Sequence, residues 1–446
     1  MGQLLSHPLT EKTIEYNDYR DPTTGTYNSR SIPRFFNCVG SMQGYRLTQE
    51  DAHMVINERD ALNVRFYNPF IDKVEDYTIS MFAVFDGHGG DDCSTFLSGG
   101  KERRGQSYSR GYNPKVGLAK WVAFAFENHH YGALGRHKVG EENFIIRDKV
   151  ASSGYGDGRI RRVFSTLEGL ISQILKDSFF LQDDALYKYF SNTQCGSTAV
   201  VTVIVNGEML FVANAGDSRC ILSSMDHSVK TMSFDHKPQH IGELIRINDN
   251  GGIVSLGRVG GVLALSRAFS DFQFKRSVLH NYIGINTAEI STSDPTTPTG
   301  SPPATPIEPR RHSFADARSP RKHYRTHFTT LIAPQESQVT CEPDVLVHKI
   351  DYKRDEFLVL ACDGIWDVYS NKELVQFIKD QLVLGVPLDV IIAKILDHGI
   401  ARADSNTGVG FDNMTLIILV LNKRGETLAD WYTKMRIRLE KERGLD

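Results

Sequence analysis

Paired cysteines are missing from this 446-residue chain. Its six cysteines, Cys38, Cys93, Cys195, Cys220, Cys341 and Cys362, stand far apart, with no CxxC pair and no Cys/His cluster. That argues against a disulfide framework and a thiolate zinc site, and points to a reducing compartment. Also missing is any run of ~18 apolar residues, so no transmembrane helix is expected. No signal peptide is seen. Charge of one sign is not in excess: 51 Lys and Arg against 54 Asp and Glu leave a formal −3. A nucleic-acid partner therefore has no electrostatic footing, and none is expected. No internal repeat is found.

What is present is ordinary for a globular enzyme, with 40 % hydrophobic and 24 % charged residues. The length admits two or three domains and a substantial core. Met1-Gly2-Gln3-Leu4-Leu5-Ser6 fits the short N-myristoylation pattern, which is loose enough to arise without modification. Glu11, Lys12, Glu15 and Asp18 follow, so no basic patch supports an acyl chain. One chain alone gives weak peripheral membrane association.

The chain reads as an N-terminal segment (1–34), one main domain (35–425) and a charged, helical tail (426–446). Trp431, Met435 and Ile437 are the tail's expected docking residues. Two insertions interrupt the main domain, at about 99–160 and about 276–335. In the first, 121–126 is apolar enough to pack as a short helix, and His129-His130 reads as solvated surface. The second is too rich in Ser, Thr, Pro and Arg over 291–325 to build a core. Thr297, Ser301, Thr305 and Ser319 each precede proline, and Arg310-Arg311-His312-Ser313 is a basic-directed phosphorylation pattern. A phosphorylated loop and an unregulated one are both open.

Residues 198–205 are β-branched and apolar, Asn206-Gly207 follows, and 208–213 is apolar again. This is the pattern of an antiparallel hairpin closed by a type I′ turn. Further strands are expected at 79–85, 219–223, 356–362 and 415–421. Helical periodicity appears over 167–175, 374–378 and 390–396. Hairpin-linked strands with long helices between them indicate an α+β layered domain.

Four aspartates share one setting, the end of an apolar run. Asp86 follows 82–85 and opens Asp86-Gly87-His88-Gly89-Gly90; Asp217 follows 210–213; Asp363 follows 357–362; Asp412 precedes 414–419. Strand-end aspartates are commonly turn formers and helix caps. If the strands are neighbours, the same residues converge, and four like charges then require a cation. Oxygen ligands without a Cys or His cluster favour Mg²⁺ or Mn²⁺. Spacing alone leaves both readings open.

The chain resembles the metal-dependent serine/threonine phosphatases of the protein phosphatase 2C type. The resemblance rests on eight motifs in the family's order. They are Gln43-Gly44-Tyr45-Arg46 with Gln49-Glu50-Asp51-Ala52-His53, then Phe85-Asp86-Gly87-His88-Gly89-Gly90, Cys195-Gly196-Ser197-Thr198-Ala199 and Asn214-Ala215-Gly216-Asp217-Ser218-Arg219. Asp235-His236-Lys237-Pro238, Leu263-Ala264-Leu265-Ser266-Arg267-Ala268-Phe269, Ala361-Cys362-Asp363-Gly364-Ile365-Trp366-Asp367 and Asp412-Asn413-Met414-Thr415 complete the set. They cover about 36–98 and 165–422 apart from the second insertion, in the manner of yeast-type members with insertions.

The resemblance implies a four-layer α-β-β-α sandwich with two central antiparallel sheets. It implies that Asp86 bridges two metal ions, with the carbonyl of Gly87 completing the second ion's shell. Asp363 and Asp412 would hold the first ion, and Glu50 and Asp51 would act through metal-bound waters. Asp217 with Asp363 matches a weaker third metal position. Arg46 matches the residue that binds substrate phosphate, and His88 the general acid. The implied substrates are phosphorylated proteins, the implied state a monomer, and the implied location the cytoplasm and nucleus. His53 and His236 are expected to support structure, Arg219 to form a structural ion pair, and Cys362 to be a small buried residue.

One motif departs from the family pattern. Where many members have Ala-Leu-Gly-Asp, this chain has Ala268-Phe269-Ser270-Asp271. A positive φ there would strain Ser270, so Asp271 is not counted among the expected site residues. Two rival readings remain: a degenerate binding module for phosphoproteins, and another two-metal phosphohydrolase. The retained carboxylates argue against the first and the motif order against the second.

Overall fold

A computed structural model of the chain describes residues 4–17, 19, 32–100, 117–134, 163–225, 228–275 and 334–444. Gly2, the phosphorylation patterns of the second insertion and most of the first insertion lie outside the described residues.

Two six-stranded antiparallel sheets form the centre. The first runs β1 (Leu4–Asn17), β2 (Phe35–Arg46), β12 (Met414–Leu421), β11 (Asp355–Ala361), β8 (Arg219–Ser224) and β9 (Val229–Thr231). The second runs β10 (Asp344–Lys349), β7 (Met209–Ala215), β6 (Ala199–Val205), β5 (Lys73–Phe85) and β3 (Ala52–Ile56), with β4 (Leu62–Asn68) also on β5. The expected hairpin is β6–β7, paired Val205 to Met209. Asn206 and Gly207 have φ of 53° and 64°, the left-handed pair that a type I′ turn needs.

Alternation along the second sheet explains its unbroken apolar runs. Phe82, Val84, Val200, Ile204, Leu210 and Val212 face the first sheet. Met81, Ala83, Phe85, Val201, Val203, Phe211 and Ala213 face the other way, into a second core. That second core is closed by α1 (Asp92–Leu97), α2 (Leu118–Asn128) and α3 (Leu167–Phe190). A strand buried on both faces loses its polar face and reads as continuous hydrophobicity. After α4 (Ile241–Asp249) and the single turn α5 (Asp363–Trp366), the far side of the first sheet is covered by α6 (Asn371–Val383), α7 (Leu388–Ala401) and α8 (Leu428–Glu442). The order of layers is helix, sheet, sheet, helix.

Local chemistry sets the helix starts. Ser370 and Glu373 form a capping box at α6, and Thr427 and Asp430 form one at α8, satisfying backbone N–H groups with no intrahelical partner.

The structure departs from the sequence reading in three places. Residues 4–17, set apart from the main domain, pair with β2 as the edge strand of the first sheet. His129, read as solvated surface, is 5 % exposed, with its ring 4.9 Å from Phe66. Helix α2 turns its apolar face onto α3 and β4, and this carries His129 inward. In the tail, α8 buries Trp431, Met435 and Leu439, one helical turn apart, while Ile437 is 59 % exposed. The docking stripe follows the 3.6-residue period, which Ile437 does not.

Candidate metal centre

Strand register gathers the acidic residues. Ala52 pairs with Phe85, so Asp51 and Asp86 leave the same end of the second sheet side by side. Arg219 pairs with Ala361, so Asp217, two residues before the one, meets Asp363, two residues after the other. Met414 pairs with Met42, which brings Asp412 to the end of β2 where Arg46 stands. All of these strand ends open at one edge of the sandwich.

Ligand atoms of Asp86, Asp217 and Asp363 lie within 4.8 Å of one another. The same holds for Asp51, Asp86 and Cys362. Asp86 belongs to both groups. Burial pushes its carboxyl well above the usual range, and Asp363, Asp51, Asp412 and Asp217 push it further. Asp363 is raised by burial, then by Asp217, Asp412 and Asp367, with Lys237 opposing. Asp51 is raised by burial and by Asp412. The Asp51 Oδ2 atom is buried with no hydrogen-bond partner among the described residues. Crowded, desolvated carboxylates of this kind are what a divalent cation would neutralise. The residues fit a hard cation.

The Cys362 thiol is already engaged. Its sulfur accepts the Thr415 N–H at 3.1 Å and its S–H donates to the Asn413 carbonyl at 3.4 Å. Asp412 lies outside both tight groups. Its Oδ2 accepts from an Arg46 Nη at 2.5 Å, and its Oδ1 accepts the Asn413 N–H at 2.8 Å. Glu50 also lies outside them: its Oε1 accepts the Gly90 N–H at 3.1 Å. The Glu50 carbonyl passes so close to Gly87 that a Cβ there would come within 2.2 Å of its oxygen. Only glycine allows Asp86 and Glu50 to share this corner.

His88 leaves the loop into a three-stranded ribbon of two-residue strands. Gly196–Ser197 is central, paired with Gly87–His88 on one side and Phe269–Ser270 on the other. Across Gly196, His88 Nε2 lies 2.7 Å from Asp271 Oδ2.

Three residues at the site were not singled out as site residues from the sequence. Lys237 forms an ion pair with Asp217, which is 4 % exposed. Asp367, one turn beyond Asp363, is raised by burial and by Asp217 and Asp412, with Lys237 opposing. Asp271, set aside above, is the partner of His88. Lys237 and Asp367 both sit inside quoted motifs, and that placement was the available signal. The structural expectations for three other side chains hold. His236 accepts the Gly216 N–H at Nδ1 and donates from Nε2 to Asp344, at 3.2 and 3.1 Å. Arg219 holds Asp235 through two nitrogens, at 2.6 and 2.8 Å. His53 lies 3.4 Å from Glu15.

The protein phosphatase 2C family profile matches residues 146–408. The chain is 58 % identical to protein phosphatase 2C homolog 4 of Saccharomyces cerevisiae over 447 residues, covering all of both chains. The chain belongs to the protein phosphatase 2C family. It is 32 % identical to protein phosphatase 2C homolog 2 of Hypocrea jecorina, over 98 % of this chain and 71 % of that one. A crystal structure of a phosphatase from a pathogenic strain of Toxoplasma gondii shares the fold. It has a TM-score of 0.51 and 18 % identity, over 94 % of this chain and 97 % of that one. As a protein phosphatase 2C, the chain is a metal-dependent protein serine/threonine phosphatase acting on phosphorylated proteins. The four-layer α+β sandwich is the architecture that membership implies.

Proposed function

We propose that this phosphatase works with two divalent cations, Mg²⁺ or Mn²⁺, and hydrolyses phosphoserine and phosphothreonine by direct attack of water, with no phosphoenzyme. The observation that carries the reading is Asp86 standing at once with Asp217 and Asp363 on one side and with Asp51 on the other. A side chain shared in this way is suited to bridge. When bound, such a cation pair supplies a water of lowered pKa as nucleophile at neutral pH.

The chain's own residues do the rest. Asp86 would hold both cations, with the Gly87 carbonyl beside it. Asp363 and Asp412 would hold the first cation, while Glu50 and Asp51 would act through waters. Asp217 with Asp363 offers a weaker third position. Arg46, 38 % exposed at its side chain and held at one nitrogen by Asp412, presents the other edge of its planar fork to two phosphate oxygens. His88 gives a proton to the departing serine or threonine oxygen, a contribution of about 10²–10⁴-fold. No cysteine nucleophile takes part.

The test is hydrolysis of a phosphothreonyl peptide with Mn²⁺, after EDTA, and in Asp86→Asn. Activity lost on chelation, restored by Mn²⁺ and absent from the variant is expected. Turnover that persists through chelation overturns the reading.

A further inference from the structure

We infer that Asp271 is the positioning residue of His88, fixing which ring nitrogen faces the substrate. This rests on the reading of His88 as the general acid.

The geometry comes from the ribbon. His88, Gly196 and Ser270 stand in register across its three strands. Asp271 is the next residue, and its carboxylate is 1 % exposed. Its Oδ2 lies 2.7 Å from His88 Nε2, the side where no solvent competes. Gly196 is what permits the approach. A Cβ on it would fall 2.2 Å from Asp271 Oδ2 and 2.5 Å from His88 Nε2.

The backbone is bent to aim this carboxylate. Ser270 and Asp271 have φ of 59° and 50°, two successive left-handed residues that are not glycine. Strain of that sort persists only where surroundings over-determine it. Here they do. The Ser270 N–H donates to Asp183 Oδ1 at 2.7 Å, from helix α3. Asp183 Oδ2 is 2.7 Å from Lys275, whose ammonium also donates to the Ala268 carbonyl at 3.0 Å. The Phe274 N–H donates to the Asp271 carbonyl at 2.9 Å. A buried ion pair thus clamps the loop on both sides of Asp271.

With Nε2–H donated to Asp271, Nδ1 is the nitrogen left for the substrate. In the step, the oxygen of the attacking water bonds to phosphorus as the P–O bond to the leaving oxygen breaks, and its electrons pass to that leaving oxygen, which takes the proton from Nδ1. Nδ1 keeps its electron pair, and the ring ends neutral with its Nε2–H still donated to Asp271. The carboxylate takes no proton; it holds the ring and balances its charge before transfer.

The experiment compares two substrates on the full-length, Mn²⁺-loaded enzyme. A phosphothreonyl peptide has a poor leaving group that needs the acid; p-nitrophenyl phosphate has a good one that does not. The readout is the ratio of kcat values, peptide over p-nitrophenyl phosphate. It is expected to fall about tenfold or more in Asp271→Ala and in His88→Ala, and to recover in part in Asp271→Asn, whose amide oxygen still accepts from Nε2 but carries no charge. A ratio that falls in His88→Ala alone overturns the role of Asp271 and spares the acid reading. A ratio unmoved in both variants overturns both.

Discussion

The Arg46 guanidinium and the Asp412 carboxylate, 2.5 Å apart, tie the end of β2 to the start of its neighbour β12. The pair sits at the mouth of the acidic centre, partly open to solvent. A guanidinium already held in plane by one carboxylate can present its other edge to phosphate. A lysine would keep the charge and lose the fork. Arg46→Lys is therefore expected to raise KM for a phosphopeptide by about 10-fold or more, as loss of a charged hydrogen bond does. Steady-state kinetics at saturating Mn²⁺ provide the measurement.

Asp86 should matter to stability with opposite signs in the two metal states. In the metal-free chain it adds to a crowd of buried like charges, so Asp86→Asn should raise Tm. With Mn²⁺ present, the wild type gains stability, by about 2.7 kcal/mol at a cation concentration one hundred times Kd. The variant should lose most of that gain. Thermal unfolding with EDTA and with Mn²⁺ tests both halves.

His129 makes the protein sensitive to mild acid at a place far from the acidic centre. Burial lowers its pKa to about 4. The same ring in the unfolded chain titrates near the ordinary ~6.5. Between those values the unfolded state binds more protons, so stability falls as pH drops through the window. By pH 5 the loss is roughly 2 kcal/mol. His129→Phe, which keeps a ring among Phe66, Phe126 and Tyr131, should remove this part of the slope. Urea unfolding at pH 7 and pH 5 checks it.

The C-terminal helix should behave as part of the core. Trp431→Ala empties a site that is 3 % exposed and should cost about 3–5 kcal/mol. Ile437→Ala, on the solvent side of α8, should stay within about 0.5 kcal/mol of wild type. Chemical denaturation of the two variants separates these outcomes.

Some features were legible in the sequence because they are local. The Asn206-Gly207 turn, the apolar runs of β5, β6 and β12 and the α6 periodicity each follow from a few adjacent residues. Most strand limits moved by a residue or two, but β5 begins at Lys73, six residues before the expected 79; the run read as 356–362 closes at Ala361, where Cys362 turns into α5 (Asp363–Trp366). His129 and Ile437 were misread for one reason. Both stand on helical segments whose inward face is set by the partner helix, α3 for one and α6 for the other.

The amino-acid order by itself determined the strand ends, the glycines that let backbones touch, and the identity of each acid placed there. It could not determine which acids meet, because that depends on antiparallel register between segments well separated in the chain and on how the two sheets pack. The pairings Ala52 to Phe85 and Arg219 to Ala361 set Asp51 beside Asp86 in one sheet and Asp217 beside Asp363 in the other, and the packing of sheet on sheet brings Asp86 against Asp217 and Asp363. Only the tertiary structure placed the Asp271 carboxylate against His88. Its value lies in a carboxylate carried to His88 by a left-handed bend, and a sequence shows the residue without the bend.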